Sequence, residues 1–348
     1  MHRALLAAGA AAAAVWAGPA GAAHHPAMPS CFVSLDAEDV GARPPPDYSF
    51  ALKLDEKAID TGDSEQQENR GITFQLGLGV RRDFGEAVRW YRKAADQGRA
   101  SAQYLLGTMH EAGRGVPRDL GRAVAWYRKA AAGGDMPAHY RIGLMYDTGR
   151  AVRPDPAEAA RWYRRAAENG HVDAQFNLGN LYYHGRGVAK DLVAALAWYR
   201  RAAEQGDGTA QFNVGVMYQY GQGTTQDYAE AARWYRKGAD QGLSAAENSL
   251  GLLYSAGWGM PADNLEALKW YRRAAVQGHA QARMNLGVMY DEGRGVARDP
   301  VQAYRWFDLA ASATKDPDLR REAIGNRERI AGAMSQEEMM RARSSAAQ

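Results

Sequence analysis

The hydrophobic and polar positions of this chain repeat with a period of 36 residues. Tryptophan marks the period at seven positions, each 36 residues after the last: Trp90, Trp126, Trp162, Trp198, Trp234, Trp270 and Trp306. A constant spacing over so many copies is typical of a tandem array of one structural unit. The sequence therefore predicts repeats, although its length of 348 residues alone would suggest two ordinary domains.

Each repeat is predicted to begin with a helix, which covers about 100–111 in the first full repeat. One face of that helix is predicted to carry Ala102, Leu106, Gly107 and, three residues further on, His110. The same glycine recurs at Gly107, Gly143, Gly179, Gly215, Gly251 and Gly287. Because glycine costs a helix interior about 1 kcal/mol relative to alanine, its recurrence indicates a neighbouring helix too close for a side chain.

A second helix follows a glycine-containing loop. Asp119 stands seven residues before Trp126, where its short side chain can cap the first turn of that helix. Ala123, Trp126 and Tyr127 then form an apolar stripe, and Gly134 is placed to end the helix. Aspartate recurs in the capping position at Asp83, Asp119, Asp155, Asp191, Asp227, Asp263 and Asp299.

The array is predicted to extend over 62–314 with a cap at each end. Before it, residues 47–61 trace a degenerate N-terminal capping helix with Leu54 in the tryptophan position. After it, residues 315–348 form C-terminal capping helices, one over about 317–334 and one announced by the capping box of Ser335 and Glu338. Atypical end units of this kind cover the exposed ends of a repeat array.

The N-terminal residues indicate export. Residues 1–22 combine a basic start, an apolar run and small residues, which is the pattern of a secretory signal peptide. Residues 23–46 are rich in proline and are predicted to form a linker. A single cysteine, Cys31, excludes an intramolecular disulfide, and the net charge of +3 gives no reason to expect a polyanionic partner. We expect a periplasmic or secreted protein without a transmembrane segment.

The repeat unit closely resembles the Sel-one-like repeat (SLR), a relative of the tetratricopeptide repeat. The resemblance rests on Ala-Gln-Phe-Asn-Leu-Gly-x-x-Tyr (174–182), Gly-x-Gly-Val (185–188) and Trp-Tyr-Arg-Arg-Ala-Ala (198–203). It implies an all-α, right-handed α/α superhelical solenoid with a concave inner surface that holds other proteins. Some relatives with a disulfide in each repeat bind or hydrolyse β-lactams, and this chain lacks those cysteines.

The sequence carries no recognisable catalytic motif, so we predict no enzyme activity, no cofactor and no metal site. It has no His-Glu-x-x-His, no Gly-x-Ser-x-Gly and no phosphate-binding loop ending in Lys-Ser or Lys-Thr. The Gly-x-Gly-Val segments follow predicted helices, whereas a dinucleotide fingerprint follows a strand. The histidines are interpreted as occupying unrelated repeat positions: His110, His139, His171, His184 and His279.

Pairs of cations follow the tryptophans and are predicted to align along the second helices. They are Arg92-Lys93, Arg128-Lys129, Arg164-Arg165, Arg200-Arg201, Arg236-Lys237 and Arg272-Arg273. Such a row can attract nucleic acid or an anionic envelope polymer. Acidic residues four positions on favour ordinary ion pairs on the helix surface instead: Asp96, Glu168, Glu204 and Asp240. We therefore predict no nucleic-acid partner and leave an anionic polymer open.

A partner is expected to bind the first helices if the repeats stack as in the tetratricopeptide relatives. Near the middle of the array, variable positions around Gly179 and Gly215 place aromatic and amide side chains in the expected groove. The candidate groove residues are Phe176, Asn180, Tyr183, His184, Phe212, Gln219 and Tyr220. An aromatic residue in the Phe176 position also recurs in other repeats, at Tyr104 and Tyr140, which favours packing there.

The sequence as a whole predicts an exported scaffold, adaptor or regulator that binds a protein or peptide in the bacterial cell envelope. Two alternatives stay open. One is a secreted factor that binds a host protein, and the other is peptidoglycan- or β-lactam-related binding or hydrolysis, by family analogy alone. We expect the protein to be a monomer.

Overall fold

The computed structural model describes residues 62–344, and that part of the chain contains sixteen α-helices and no strand. The helices are α1 (Ser64–Leu76), α2 (Phe84–Asp96), α3 (Ala100–Ala112), α4 (Leu120–Ala132), α5 (Met136–Thr148), α6 (Pro156–Glu168), α7 (Val172–His184), α8 (Leu192–Glu204), α9 (Gly208–Tyr220), α10 (Tyr228–Asp240), α11 (Ser244–Ala256), α12 (Asn264–Val276), α13 (Ala280–Glu292), α14 (Pro300–Ala313), α15 (Pro317–Ala331) and α16 (Gln336–Ser344). The predicted signal peptide, linker and N-terminal capping helix lie outside the described residues.

The described residues fall into two compact units. The N-terminal unit covers 62–190 and contains α1–α7, and the C-terminal unit covers 191–344 and contains α8–α16. Within each unit, odd-numbered helices up to α13 are the first helices of the repeats and even-numbered helices up to α14 are the second helices. The predicted all-α repeat fold is confirmed, and α3 follows the predicted first helix closely.

Aspartate caps the second helices as the sequence predicts. The Oδ1 of Asp119 accepts a hydrogen bond from the backbone N of Arg122 at 2.9 Å, and Asp155 accepts two such bonds at the start of α6. At the other end of α4, Gly134 has φ +86°, a left-handed conformation that glycine adopts without strain.

The recurrent glycine of the first helix makes room for an aromatic ring. A Cβ on Gly107 would lie 2.4 Å from Cε1 of Tyr127, and one on Gly287 would lie 2.5 Å from Cε1 of Phe307. These rings follow the tryptophans directly in sequence, and Tyr127 and Phe307 have no exposed surface. The predicted close approach is therefore confirmed, and the group that approaches is the aromatic side chain of the second helix.

The tryptophans have a different position from that ring. Trp126 is only half-buried and packs against the core that includes Ala87, Tyr91 and Leu106 of the preceding helices. Trp162 packs in the same way against the core of its own preceding helices, which includes Tyr127 and Ile142. The repeat interior is filled by tyrosine or phenylalanine, and these tryptophans connect one repeat to the next.

Histidine caps two of the first helices, which corrects one expectation. His171 and His279 stand at the same position of their repeats, so the histidines are not all unrelated. The Nδ1 of His279 accepts a hydrogen bond from the backbone N of Ala282 at 3.2 Å, as His171 does from Ala174 at 3.4 Å. Both side chains serve as helix caps. Among residues 62–344, no group of three or more histidine, cysteine, aspartate or glutamate side chains is arranged to hold a metal ion.

Two further helices end the described chain. Ala323 and Ile330 of α15 are buried against Phe307 and Ala303 of α14. The backbone N of Ser335 donates to Glu338, and its hydroxyl accepts from the backbone N of Glu338, so the predicted capping box precedes α16. Within 62–344, no helix has the length and apolar character needed to cross a membrane.

Candidate partner-binding faces

Tyrosine hydroxyls from the interior reach acidic or amide side chains near the ends of the first helices. Tyr127 donates a hydrogen bond of 2.7 Å to Glu111 at the end of α3. Arg150, in the loop of the next repeat, forms an ion pair of 3.2 Å with the same carboxylate. One repeat further on, Arg186 binds Asp147 at 2.6 Å. In the N-terminal unit, successive repeats are therefore joined by a loop arginine and an acid whose side chain is mostly buried.

The first helices of the N-terminal unit present a half-buried face that we call the aromatic–arginine face. It consists of Tyr104, Tyr140, Arg141, His171 and Asn177. Arg141 forms a hydrogen bond with Tyr104 and interacts electrostatically with Tyr127 and Glu111. The ring of Tyr140 stacks on His171 with centroids 4.6 Å apart, and Tyr140 also contacts Asn177.

Burial sets the protonation of this face. It raises the pKa of Tyr140 above its ordinary value, and the nearby Asp173 carboxylate raises it further. It also lowers the pKa of His171, which keeps the imidazole neutral at pH 7. At that pH the face therefore presents a single guanidinium among neutral hydroxyl, imidazole and amide groups. Such a set can donate to and accept from a polypeptide backbone.

Two of the first helices of the C-terminal unit, α9 and α13, carry asparagine in place of that arginine. Asn285 donates to Asn248 at 3.1 Å, and Gln281 donates to Asn285 at 3.4 Å. Asn213, in the position equivalent to Arg141, is fully buried, and neither atom of its amide has a hydrogen-bond partner. No arginine stands at this position in α9, α11 or α13, so the guanidinium of Arg141 belongs to the N-terminal unit alone among the described first helices.

The predicted groove residues divide between the two units. In the N-terminal unit, Phe176 and Asn180 are half-buried and His184 is exposed, whereas Tyr183 is only 8% exposed. The edge of Tyr183 meets the ring of His184, with centroids 5.0 Å apart. His184 is thus the most accessible of these four side chains.

In the C-terminal unit, Phe212 and Tyr220 are half-buried, and the ring of Phe212 lies 5.7 Å from that of Tyr235. Gln219 is predicted to be a groove residue, but the structure places it in the interior. It is 5% exposed, and its Oε1 accepts a hydrogen bond of 2.6 Å from the buried Tyr235 hydroxyl. Gln219 therefore satisfies an interior hydroxyl, because it occupies the position that Glu111 holds in its own repeat.

Sequence reasoning missed Arg141 and Asn177. Both stand two residues before the repeat glycine, where other repeats carry Leu105 or Asn213. The signal available was variation at that position, since a core position would hold an apolar residue throughout. The sequence favours a packing role for Tyr104 and Tyr140, and the ring of Tyr104 does pack 5.6 Å from that of Tyr127.

The cation pairs of the second helices lie on aromatic rings. In the N-terminal unit, Lys93 lies 4.0 Å from the ring centroid of Trp90, and Lys129 lies 4.2 Å from that of Trp126. Arg128 donates to the Tyr146 hydroxyl at 2.9 Å. We call these cations and their equivalents the basic ridge of the N-terminal unit: Arg92, Lys93, Arg128, Lys129, Arg164 and Arg165.

Most of the expected helix-surface ion pairs are replaced by these aromatic contacts. Arg200 and Glu204 do form a pair, at 3.6 Å. Arg92 instead lies 5.7 Å from the ring of Trp126, and Arg164 donates to the Tyr182 hydroxyl at 2.6 Å. The expectation that acidic partners four residues on neutralise the row is therefore wrong for these two arginines.

Comparison with known proteins supports the same organisation. A family model described as the Sel1 repeat matches seven consecutive segments: 67–98, 100–135, 137–171, 172–207, 208–243, 244–279 and 280–314. A Sel1 repeat protein from Oxalobacter formigenes is 33% identical, with a TM-score of 0.61 and a match that covers 82% of each chain. A protective antigen present in uropathogenic Escherichia coli strains, which displays an SLR fold, is 30% identical with a TM-score of 0.55. That match covers 85% of this chain and 78% of the antigen. A search of curated proteins finds no match.

Tandem two-helix repeats with uncovered polar and aromatic faces define a helical repeat scaffold. The chain belongs to the Sel1 repeat family, whose members generally mediate protein–protein interactions and are typically non-catalytic.

Proposed function

We propose that this protein is an exported scaffold that holds a partner protein or peptide in the bacterial cell envelope. The aromatic–arginine face of the N-terminal unit carries the proposal. Tyrosine and arginine are enriched where proteins bind one another, since they combine large contact area with directional hydrogen bonds. Here they lie side by side on adjacent helices, with Arg141 hydrogen-bonded to Tyr104 and thereby held in place before a partner arrives.

Export is supported by the residues of the chain start. The basic start, apolar run and small residues of 1–22 are the pattern of a signal peptide. Cell fractionation with N-terminal sequencing tests this part separately. We expect a mature chain that begins near Ala23 in the periplasm, and an intact Met1 on a cytoplasmic protein would refute export.

Photo-crosslinking tests the binding face in the native organism. A photoreactive amino acid at Asn177 is expected to capture a defined protein. The same group at Arg122, which is exposed on the second helix α4, is expected not to capture it. Adding Arg141→Ala should abolish the crosslink from position 177, whereas Arg141→Lys retains part of it. Equal capture from both positions would refute the proposed face.

A second candidate function is an exported factor that binds a host protein. It is favoured by the similarity to the protective antigen of uropathogenic Escherichia coli, since an antigen that protects is accessible to the host. Fractionation separates the two candidates. Mature chain in the culture medium would support the host-directed factor, and retention in the periplasm would support the envelope scaffold.

A further inference from the structure

The basic ridge of the N-terminal unit is unusual because its cations form no ion pairs in the described part of the chain, although Asp96 and Glu168 lie on the same helices. Within 62–190, none of its six side chains forms an ion pair with a carboxylate. Other arginines on the same helices do: Arg89 pairs with Glu86 at 2.5 Å, Arg122 with Asp119 at 3.2 Å, and Arg161 with Glu158. The same three helices thus carry one neutralised row of cations and one row that keeps its positive charge.

Aromatic side chains hold the ridge cations in place without neutralising them. Trp126 contacts two of them, with Arg92 5.7 Å and Lys129 4.2 Å from its ring centroid. Arg165 lies 5.8 Å from the ring of Trp162. A cation over an aromatic face is stabilised by the ring quadrupole and keeps its full charge. The ridge is therefore a fixed positive surface, and it loses less conformational entropy on binding an anion than free lysines would.

The composition of the ridge indicates which kind of anion fits. Each second helix of the N-terminal unit, α2, α4 and α6, contributes the same pair, arginine followed by lysine or arginine, at the same position. Identical groups at regular intervals match a polymer with regularly repeated charge, and they cannot distinguish one peptide sequence from another. Stacking of nucleic-acid bases needs open aromatic faces, and here cations lie over the tryptophan rings.

We propose that the basic ridge of the N-terminal unit binds a linear, carboxylated polysaccharide. The carboxylates lie against the guanidinium and ammonium groups, and the tryptophan edges contact the apolar faces of the sugar rings. This surface is on the second helices, so it is separate from the aromatic–arginine face of the first helices. One chain can then hold a protein on one face and an acidic glycan on the other.

Binding of the full chain to immobilised polygalacturonate tests the proposal, with neutral dextran as the matching uncharged polymer. We expect saturable binding to polygalacturonate that weakens as sodium chloride rises from 50 to 200 mM, because screening and ion release oppose it. The triple variant K93Q/K129Q/R165Q should bind at least about tenfold more weakly than the parent chain. The control R89Q/R122Q/R161Q removes the same number of charges from the same helices and should bind within about threefold of the parent chain.

Three results would overturn the proposal. One is an equal loss of affinity in both triple variants, since that would indicate attraction by net charge alone. Another is retention on dextran equal to that on polygalacturonate. The third is tighter binding to single-stranded DNA or polyglutamate than to polygalacturonate at matched charge concentration. Thermal unfolding shows whether the triple variants are folded. If K93Q/K129Q/R165Q is not, the single variants K129Q and R122Q make the same comparison within α4.

Discussion

At the scale of single residues, a glycine and an aromatic ring specify the interior of each repeat. Tyr127 is completely buried against Gly107, and its hydroxyl still reaches the Glu111 carboxylate. The ring needs the space that a Cβ would fill, and the hydroxyl needs an acceptor because an unpaired buried polar group is costly. The glycine thus lowers the helix propensity at this position and leaves the space in which the tyrosine ring packs.

This exchange predicts opposite effects for two glycine-to-alanine substitutions within helices. Gly107→Ala would place a Cβ 2.4 Å from the Tyr127 ring, so we expect the free energy of unfolding to fall by about 2 kcal/mol or more. Gly325→Ala, in the exposed interior of α15, meets nothing within 4 Å and should raise it by about 0.5–1 kcal/mol. Urea unfolding measures both. Destabilisation by Gly325→Ala, or none by Gly107→Ala, would contradict the packing described.

At the scale of helices, the caps decide where each element begins. Asp135 and His279 occupy the same position, one at the start of α5 and one at the start of α13. Each accepts a hydrogen bond from the backbone N three residues on, at 2.7 Å for Asp135 and 3.2 Å for His279. An imidazole nitrogen accepts only when it is unprotonated, whereas a carboxylate accepts over a wider pH range. The histidine cap is therefore sensitive to acid.

The pKa of His279 sets the direction of this dependence. Burial lowers it from 6.5 to about 4 in the folded chain. As the pH falls from 6.5 towards 4, the unfolded chain binds a proton that the folded chain does not, so stability falls. Between pH 8 and pH 5 we expect a loss of about 2 kcal/mol from this residue. The stability that the neutral His279 contributes is fully present above pH 6.5.

Urea unfolding of His279→Asp against the parent chain at pH 8, 6.5 and 5 measures that loss. The other histidines are common to both chains, so the difference between the two isolates position 279. We expect the variant to gain stability relative to the parent as the pH falls. A difference that stays constant from pH 8 to pH 5 would show that His279 is protonated equally in both states.

The helix bounds were predictable from the sequence, whereas the surface contacts were not. Periodicity located α3 and the aspartate caps because a repeated position leaves one structural interpretation that suits every copy. Arg141 and Gln219 lie at variable positions, where one copy is interior and another is surface. Their placement depends on the tyrosine hydroxyls of neighbouring helices, and no spacing along the chain specifies those contacts.

At the scale of the whole molecule, a repeat array must cover the apolar surface at its ends. In the C-terminal unit, α15 provides that cover. Ile330 is 3% exposed and joins the core of Ala303 and Phe307, which α14 would otherwise leave open on that side. Arg327 of the same helix forms an ion pair of 2.5 Å with Asp308 of α14 and fixes how the two helices align.

The energetic contribution of α15 follows from this burial. Ile330→Ala removes three buried carbons from the end of the core and should lower the free energy of unfolding of the C-terminal unit by about 2–4 kcal/mol. Amide hydrogen exchange should accelerate most in α14 and α15, because these helices open together once their shared core is weakened. Met340→Ala in α16 is the control, since that side chain is 66% exposed and its removal should change stability by less than about 0.5 kcal/mol. If both variants behaved alike, α15 would be an appendage to the repeats and α14 would end the cooperative structure.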